Sequence, residues 1–225
     1  MASRKDQKEA LRAQRLERER AAAAAQQRKR LVGYGIAGVL ALAAIVVVIG
    51  LVLPKGGDEQ KSEGGFPKGT VPAQKVTELN AAAKAAGCTV KRVKEEGSDH
   101  VSGPVKYKTN PPTSGDHAPP ELVPDDGAYR EAPEKERLVH SLEHGRIVIQ
   151  YRPTAPAALQ GSLKALFDED PYHMLLAPNT TNMPFEVAAT GWTLLIGCRE
   201  ANDKVYDALR AFRDRFRDHG PELVP

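Results

Sequence analysis

The segment LVHSLEHG, residues 138–145, places two histidines four residues apart, with Glu143 directly before the second. On a helix this spacing puts His140 and His144 on one face, where both rings can reach the same metal ion. H-x-x-E-H is also the pattern of inverted zinc proteases. Those enzymes need the motif inside a helix of several turns. Here residues 134–138 predict about one turn of helix before the motif, and Gly145 and a strand follow at once, so the context argues against peptidase activity.

The region between residues 100 and 144 predicts a transition-metal site. Imidazole binds zinc, copper, iron and nickel, and we predict copper or zinc here. Met174 and Met183 are candidate thioether ligands, which would favour copper and in particular Cu(I). In the second coordination shell we place Glu143, which would hold the far ring nitrogen of a ligand histidine, together with Tyr107 and Tyr129. Four of the six histidines of the chain are the predicted ligands: His100, His117, His140 and His144.

Two other interpretations of the same histidines stay open. In the first, they bind no metal and hydrogen-bond to backbone groups, so that they pin a proline-rich loop onto the sheet of an envelope interaction domain. In the second, a bound metal serves a hydrolase that uses Glu143 as its base. A nucleophile–base pair of Ser114 and His117 is disfavoured, because PPTSGDH lacks a nucleophile elbow and is typical of a rigid turn. We therefore predict binding of metal rather than catalysis.

The elements that must position these residues indicate one α+β domain over 75–225, with a small antiparallel or mixed sheet and two to three helices. Residues 96–137 contain seven prolines and are predicted as a long, ordered loop. Apolar periodicity predicts the remaining elements: helices at 74–86, 155–168 and 200–218, strands at 88–93, 146–151 and 173–177, and a hairpin of 185–189 with 192–198 around a Thr190-Gly191 turn.

The N-terminal part of the chain predicts a membrane anchor. Residues 31–53 contain no charge and are long enough to cross a bilayer as a helix. The basic residues of 1–30 precede this span, so the positive-inside rule puts the tail in the cytoplasm and the domain outside the cell membrane. The tail itself is a candidate for contact with anionic lipid. Residues 54–74, rich in Gly, Pro and Lys, predict a flexible linker.

Charge and cysteine content further limit the possible partners of the domain and the state of its cysteines. Residues 1–30 carry ten Lys and Arg against four Asp and Glu, while the whole chain has a net charge of only +3. The external domain is therefore slightly acidic, which argues against a nucleic-acid partner. Cys88 and Cys198 are the only cysteines. In an oxidising compartment they predict a disulfide, with two buried free thiols as the alternative.

Several of these motifs together resemble a bacterial family catalogued as domain of unknown function number 3105. The resemblance covers roughly residues 75–223 and implies a basic tail, one membrane span and an external domain. It implies no established activity, but motifs built around histidine and glutamate favour a metal or another polar site. The segments that carry it are Tyr107 with Pro111-Pro112-Thr113-Ser114-Gly115 and His117, Gly127 with Tyr129, His140-Ser-Leu-Glu143-His144-Gly145, and Tyr151 with Pro153.

Overall fold

The computed structural model describes residues 65–222, which lie in one compact unit. The predicted tail at 1–30, the predicted span at 31–53 and the first part of the predicted linker, 54–64, lie outside the described residues. Among the helices of residues 65–222, none is both long enough and apolar enough to cross a bilayer.

Within residues 65–222, six strands form a mixed sheet in the order β1-β6-β5-β3-β4-β2. The first three pairs in this order are antiparallel, and β4 pairs in parallel with both β3 and β2. The predicted mixed sheet is thus confirmed. The strands are β1 Cys88–Arg92, β2 Gly127–Ala128, β3 Ile147–Tyr151, β4 Met174–Pro178, β5 Val187–Gly191 and β6 Leu194–Cys198.

The described residues contain four α-helices, so the α+β class is confirmed but the predicted number of two to three helices is too low. The additional helix has nine residues and contains the H-x-x-E-H motif. The sequence indicated about one turn there, because Pro133 and Gly145 bracket a stretch too short to show a full helical period. The helices are α1 Leu79–Ala86, α2 Lys135–Glu143, α3 Ala157–Glu169 and α4 Val205–Phe216.

The main core lies on the face of the sheet covered by α1, α3 and α4. Because side chains alternate along a strand, Ile147 and Ile149 of β3 point into this core, as do Met174 and Leu176 of β4. Helices α1, α3 and α4 close the core with apolar side chains that include Leu79, Ala82, Leu163, Leu166, Leu209 and Phe212.

The opposite face of the sheet is covered by α2. Val148 of β3 and Leu175 of β4 point to this side and pack against Leu138, Val139 and Leu142 of the helix, beside Trp192. This second cluster is small. Tyr107 of the proline-rich loop packs against it, and Met183 and Phe185 cover Ala188 and Leu195 in a separate cluster. Helix α2 is therefore held over the sheet by its own apolar stripe.

The hairpin of β5 and β6 is confirmed, but its turn lies at Trp192-Thr193 rather than at the predicted Thr190-Gly191. Gly191 pairs with Leu194 as the last position of the ladder. Thr193 takes the positive φ of 60° that the turn needs. Its backbone N–H donates to the carbonyl of Thr113 at 2.8 Å. The turn at its observed position thus contacts the proline-rich loop. The local sequence could not predict this contact.

The second part of the predicted linker belongs to the packed domain. Phe66 is buried in the main core, and Val71 packs against it. The backbone N–H groups of Lys75 and Val76 donate to the carboxylate of Asp207 at 3.0 Å each. The prediction of a spacer up to residue 74 is therefore wrong from Phe66 onward, because one aromatic residue supplies enough apolar area to anchor the segment.

Cys88 and Cys198 form a disulfide, which settles the alternative of free thiols. The two residues face each other in the antiparallel β1–β6 pair. The bridge closes a sequence separation of 110 residues, so it restricts the unfolded chain strongly.

Candidate metal centre

The proline-rich loop brings His100 and His117 together through backbone pairing. The two residues form an isolated parallel bridge. The N–H of Val101 donates to the carbonyl of His117 at 2.8 Å, and the N–H of His117 donates to the carbonyl of Asp99 at 3.0 Å. Since adjacent strands lie close together, this pairing puts the two imidazoles side by side, with ring centroids 4.9 Å apart.

Side chains inside the proline-rich loop add to this backbone pairing and help to hold the loop in place. The hydroxyl of Tyr107 donates to the carbonyl of Asp116 at 2.7 Å, directly before His117. Ser114 accepts the N–H of Glu96 through its hydroxyl at 3.1 Å and is fully buried. Ser114 thus serves the turn, as predicted, and Tyr107 positions the loop behind His117.

Helix α2 presents His140, Glu143 and His144 at its C-terminal end. Gly145 follows with a positive φ of 79° and lies against the backbone of Asp218, so a side chain at this position would be strained and crowded. The Nε2 atoms of His140 and His144 are 3.0 Å apart, as the four-residue spacing predicts.

The loop and the helix together form a group of four side chains whose possible ligand atoms all lie within 4.8 Å of one another: His100, His117, His140 and Glu143. We call this group the primary cluster. Its carboxylate oxygen Glu143 Oε2 is 2.9 Å from His117 Nε2 and 3.8 Å from His100 Nε2. His140 stacks on His100, with centroids 4.8 Å apart. Three of the four residues are buried, and His100 leaves the cluster open to solvent on one side.

Backbone carbonyls fix the orientation of two of these rings. Nδ1 of His117 lies 2.8 Å from the carbonyl oxygen of Gly115, and Nδ1 of His140 lies 2.5 Å from that of Ala118. A carbonyl can only accept, so each Nδ1 carries the hydrogen and, in the neutral ring, each Nε2 keeps its lone pair. Carbonyls therefore occupy the second-shell position that the sequence assigned to Glu143, and Glu143 itself lies among the Nε2 atoms.

Two atoms of the primary cluster are buried without a hydrogen bond, His117 Nε2 and Glu143 Oε2. They are only 2.9 Å apart, yet they do not have the angles of a hydrogen bond. Buried polar atoms nearly always find a partner, so the facing arrangement of these two atoms is a notable feature of the cluster.

Comparison with known families gives a match. The family model for a protein of unknown function, DUF3105, matches residues 100–223, more than half of the chain. The chain belongs to this family. No curated protein and no solved structure matches it. The DUF3105 match begins at His100 and includes the whole primary cluster, but it leaves out α1 and β1.

The surroundings of His140 and His144 in the DUF3105 domain lower the pKa of both rings and favour their neutral forms. Burial lowers the pKa of His140 to about 4, and repulsion from His117 acts in the same direction, although the bond to the Ala118 carbonyl opposes both. Burial also lowers the pKa of His144, with a contribution from Arg146. Burial raises the pKa of Glu143, opposed by His117. A metal binds neutral imidazole, so His140 is already in the ligating form at neutral pH.

Three predicted residues lie elsewhere in the DUF3105 domain. Met174 points into the main core, on the face of the sheet opposite to α2, and Met183 packs with Ala188 and Leu195 in a separate cluster. Both side chains fill apolar space, so the predicted thioether ligands are not supported. Tyr129 packs beside Trp192 in the α2 cluster and donates its hydroxyl to the carbonyl of Asp125. It supports the packing of this face rather than a histidine ring.

Sequence analysis missed Glu222. In the DUF3105 domain its carboxylate oxygen lies 3.5 Å from His144 Nε2. The sequence contains no signal for this contact, because a lone glutamate near the C-terminus resembles any solvated acid. The ring of His173 contacts the same C-terminal segment, since its Nδ1 lies 2.6 Å from the carboxylate of Asp218.

Proposed function

We propose that this domain binds a divalent transition metal, zinc or copper, through the primary cluster of His100, His117, His140 and Glu143. The observation that carries the proposal is the convergence of four possible ligand atoms within 4.8 Å of one another, among them the buried His117 Nε2 and Glu143 Oε2, which lie 2.9 Å apart in poor hydrogen-bonding geometry. A cation between a ring lone pair and a carboxylate oxygen would satisfy both atoms at once.

The donor set suits zinc or Cu(II). Zinc bonds of about 2.0–2.1 Å to nitrogen and oxygen put neighbouring ligand atoms of a tetrahedron roughly 3.3 Å apart. The distances from Glu143 Oε2 to His117 Nε2 and His100 Nε2, 2.9 and 3.8 Å, lie on either side of that value. The argument for Cu(I) rested on thioether sulfur. Since Met174 and Met183 fill apolar clusters, imidazole and carboxylate remain as donors, and these favour divalent ions.

The metal-free alternative explains part of the same geometry. His140 does bind the loop, through the carbonyl of Ala118. A purely structural histidine would use its second nitrogen as well or expose it to water, whereas His117 Nε2 is buried and unpaired. The hydrolase alternative needs Glu143 as a free base. Its carboxylate lies among the ring nitrogens, where ligation competes with that role, so we do not propose hydrolysis.

We further propose that the domain works outside the cell membrane, anchored by residues 31–53. The support is the uncharged run in the sequence and its basic N-terminal flank. The Cys88–Cys198 disulfide agrees with an oxidising compartment, because such bonds rarely persist in the cytosol.

The test is metal analysis of the full-length chain purified in a mild detergent. The protein is stripped with a chelator, loaded with Zn²⁺ or Cu²⁺, freed of excess metal and analysed by mass spectrometry of the elements. We expect tightly held metal in the parent. His117→Ala and His140→Ala should each lose at least about 100-fold in affinity, since even the loss of a second-shell partner costs 10–100-fold.

A matched control is His219→Ala, because His219 is exposed and its ring contacts a carbonyl of its own segment, that of Arg217. This variant should bind metal like the parent. Circular dichroism and an intact disulfide would show that each variant is folded. A folded parent that holds neither metal after loading would overturn the proposal and favour the metal-free alternative.

A further inference from the structure

A second group of possible ligands adjoins the primary cluster. Atoms of Glu143, His144 and Glu222 also lie within 4.8 Å of one another. Glu143 belongs to both groups, so its carboxylate stands at the junction between them. His144, which the sequence assigned to the first site, lies in this second group, although its Nε2 is only 3.0 Å from that of His140.

Backbone contacts of the C-terminal segment with the end of α2 place Glu222 at this position. The N–H of Asp218 donates to the carbonyl of Gly145 at 2.8 Å, and the N–H of Glu222 donates to that of Glu143 at 3.1 Å. Between them, Gly220 lies so close that an added Cβ would meet the Glu143 carbonyl oxygen at 2.1 Å. The segment is therefore tied by its backbone across the end of α2, and the position of Glu222 follows from that attachment.

The hydrogen bonding of His144 links the two groups. Because Nδ1 of His140 donates to Ala118, Nε2 of the neutral ring can only accept, and the hydrogen between the two Nε2 atoms belongs to His144. A cation on His140 Nε2 would use the lone pair that accepts this hydrogen. His144 would then lose its partner, and in the other neutral tautomer, with the hydrogen moved from Nε2 to Nδ1, its Nε2 lone pair could act as a ligand itself.

We propose that the centre is dinuclear, with a second divalent transition-metal ion held by Glu143, His144 and Glu222 and with the Glu143 carboxylate bridging the two ions. This inference rests on the proposed function, since the first ion is what frees His144. Paired metal sites in proteins place their ions about 3.5–4 Å apart, which one carboxylate can span. The buried, unpaired Glu143 Oε2 supplies one end of the bridge.

The two positions differ in their exposure to solvent. The side chain of Glu222 is 50% exposed and that of His144 is 11% exposed, whereas His117 is fully buried. A charged ligand in contact with water binds a cation less strongly than a desolvated one, because water competes and screens. The second ion is accordingly the weaker and the more readily exchanged of the two.

The experiment is a titration of the stripped, full-length chain with Zn²⁺, followed by competition with a coloured chelator, and a parallel titration with Cu²⁺ followed by electron paramagnetic resonance. The parent should take up two equivalents, and the loaded copper form should show spin coupling between neighbouring ions. Glu222→Gln and His144→Gln should each retain one equivalent and give the signal of an isolated Cu²⁺. Glu200→Gln, an exposed acid on the β6 side, should behave like the parent.

The outcomes separate the two proposals. One tight equivalent in the parent, without spin coupling, overturns the dinuclear centre and leaves the primary cluster standing. Two equivalents that persist in folded Glu222→Gln overturn the assignment of the second ligand set. No bound metal in the folded parent overturns both proposals. Glutamine has nearly the size of glutamate, so a change in Glu222→Gln reports charge and ligation rather than loss of the fold.

Discussion

Two groups of buried charged or ionisable side chains lie on opposite faces of the sheet, and they differ in whether all their polar atoms are hydrogen-bonded. On the face of α1, α3 and α4, Arg210 is 4% exposed and bonds to Glu169, Asp207 and the carbonyl of Pro72. On the face of α2, His117 and Glu143 are as deeply buried, but each keeps an atom without a hydrogen bond.

The pattern extends beyond these residues. Among the described residues, none of the buried side-chain atoms that lack a partner belongs to α1, α3 or α4. An unmade hydrogen bond in the interior costs about 1–3 kcal/mol, and more when the group is charged. The Arg210 group is complete and needs nothing further. Seven unpaired buried atoms occur among the described side chains, and the two in the primary cluster face each other, which is the feature that the proposed metal site would explain.

The largest expected loss of stability comes from removing the arginine of the Arg210 group. Arg210→Ala removes the cation that pairs with Glu169 and Asp207, although Asp207 keeps the N–H groups of Lys75 and Val76, and should lower the free energy of unfolding by about 3 kcal/mol. The value is at the low end for buried pairs because the side chain of Glu169 is 36% exposed. Chemical denaturation of the metal-free protein measures it. Metal affinity should stay unchanged, and a folded Arg210→Ala variant with lost metal binding would contradict the separation of the two faces.

A smaller effect should appear in the pH dependence of the metal-free protein. The pKa of His140 is lowered to about 4 from an ordinary value of 6.5, so the unfolded chain binds this proton more readily than the folded chain. The contribution of His140 to stability is therefore present above pH 6.5 and is lost as the pH falls toward 4. The raised pKa of Glu143 acts in the opposite sense and offsets part of this loss.

The measurement is chemical denaturation at several pH values between about 7 and 4, with His140→Gln as the comparison. The variant has no imidazole at this position, so its unfolding free energy should depend less on pH in that window. Equal slopes for the parent and the variant would show that burial does not hold His140 in its neutral form.

The smallest expected effect on stability is that of Glu143→Gln without metal. This change removes a buried carboxylate whose Oε2 has no hydrogen bond, so the free energy of unfolding should stay within about 1 kcal/mol of the parent or rise. Zinc affinity should nevertheless fall at least tenfold, because a charged ligand is lost. A large loss of stability with unchanged affinity would make Glu143 a structural residue and remove the contrast with Arg210.

Local patterns predicted the parts of this fold that local forces decide. The run Ile147–Tyr151 is a strand, as its apolar, β-branched composition indicated, and α4 lies within the predicted 200–218. The full length of helix α2 could not be predicted, because the helix is stabilised mainly by packing on Val148 and Leu175 of the sheet. This packing is a tertiary contact that the composition of the helix itself does not reveal. Phe66 was missed as a core residue for the same reason.

In the candidate site, too, some features could be predicted from local spacing and others depend on the tertiary structure. The closeness of two candidate ligands, His140 and His144, follows from their spacing of four residues and could be predicted directly. The carbonyls of Gly115 and Ala118 that orient the rings could not be read, since any residue offers a carbonyl. Nor could the placement of Met174, because alternation along β4 decides its face only once the sheet has a core on one side.

By itself, the sequence determined the α+β class, the family, the candidate disulfide pair and the residue types able to hold a metal, because these depend on composition, periodicity and motif. Only the tertiary structure decided which of those residues meet. It put Glu143 among the ring nitrogens, moved His144 into a second group and brought Glu222 to it. The physical reason is that ligation depends on distances of a few ångströms between side chains from separate segments, and those distances are set by how the loop, α2 and the C-terminal segment pack together.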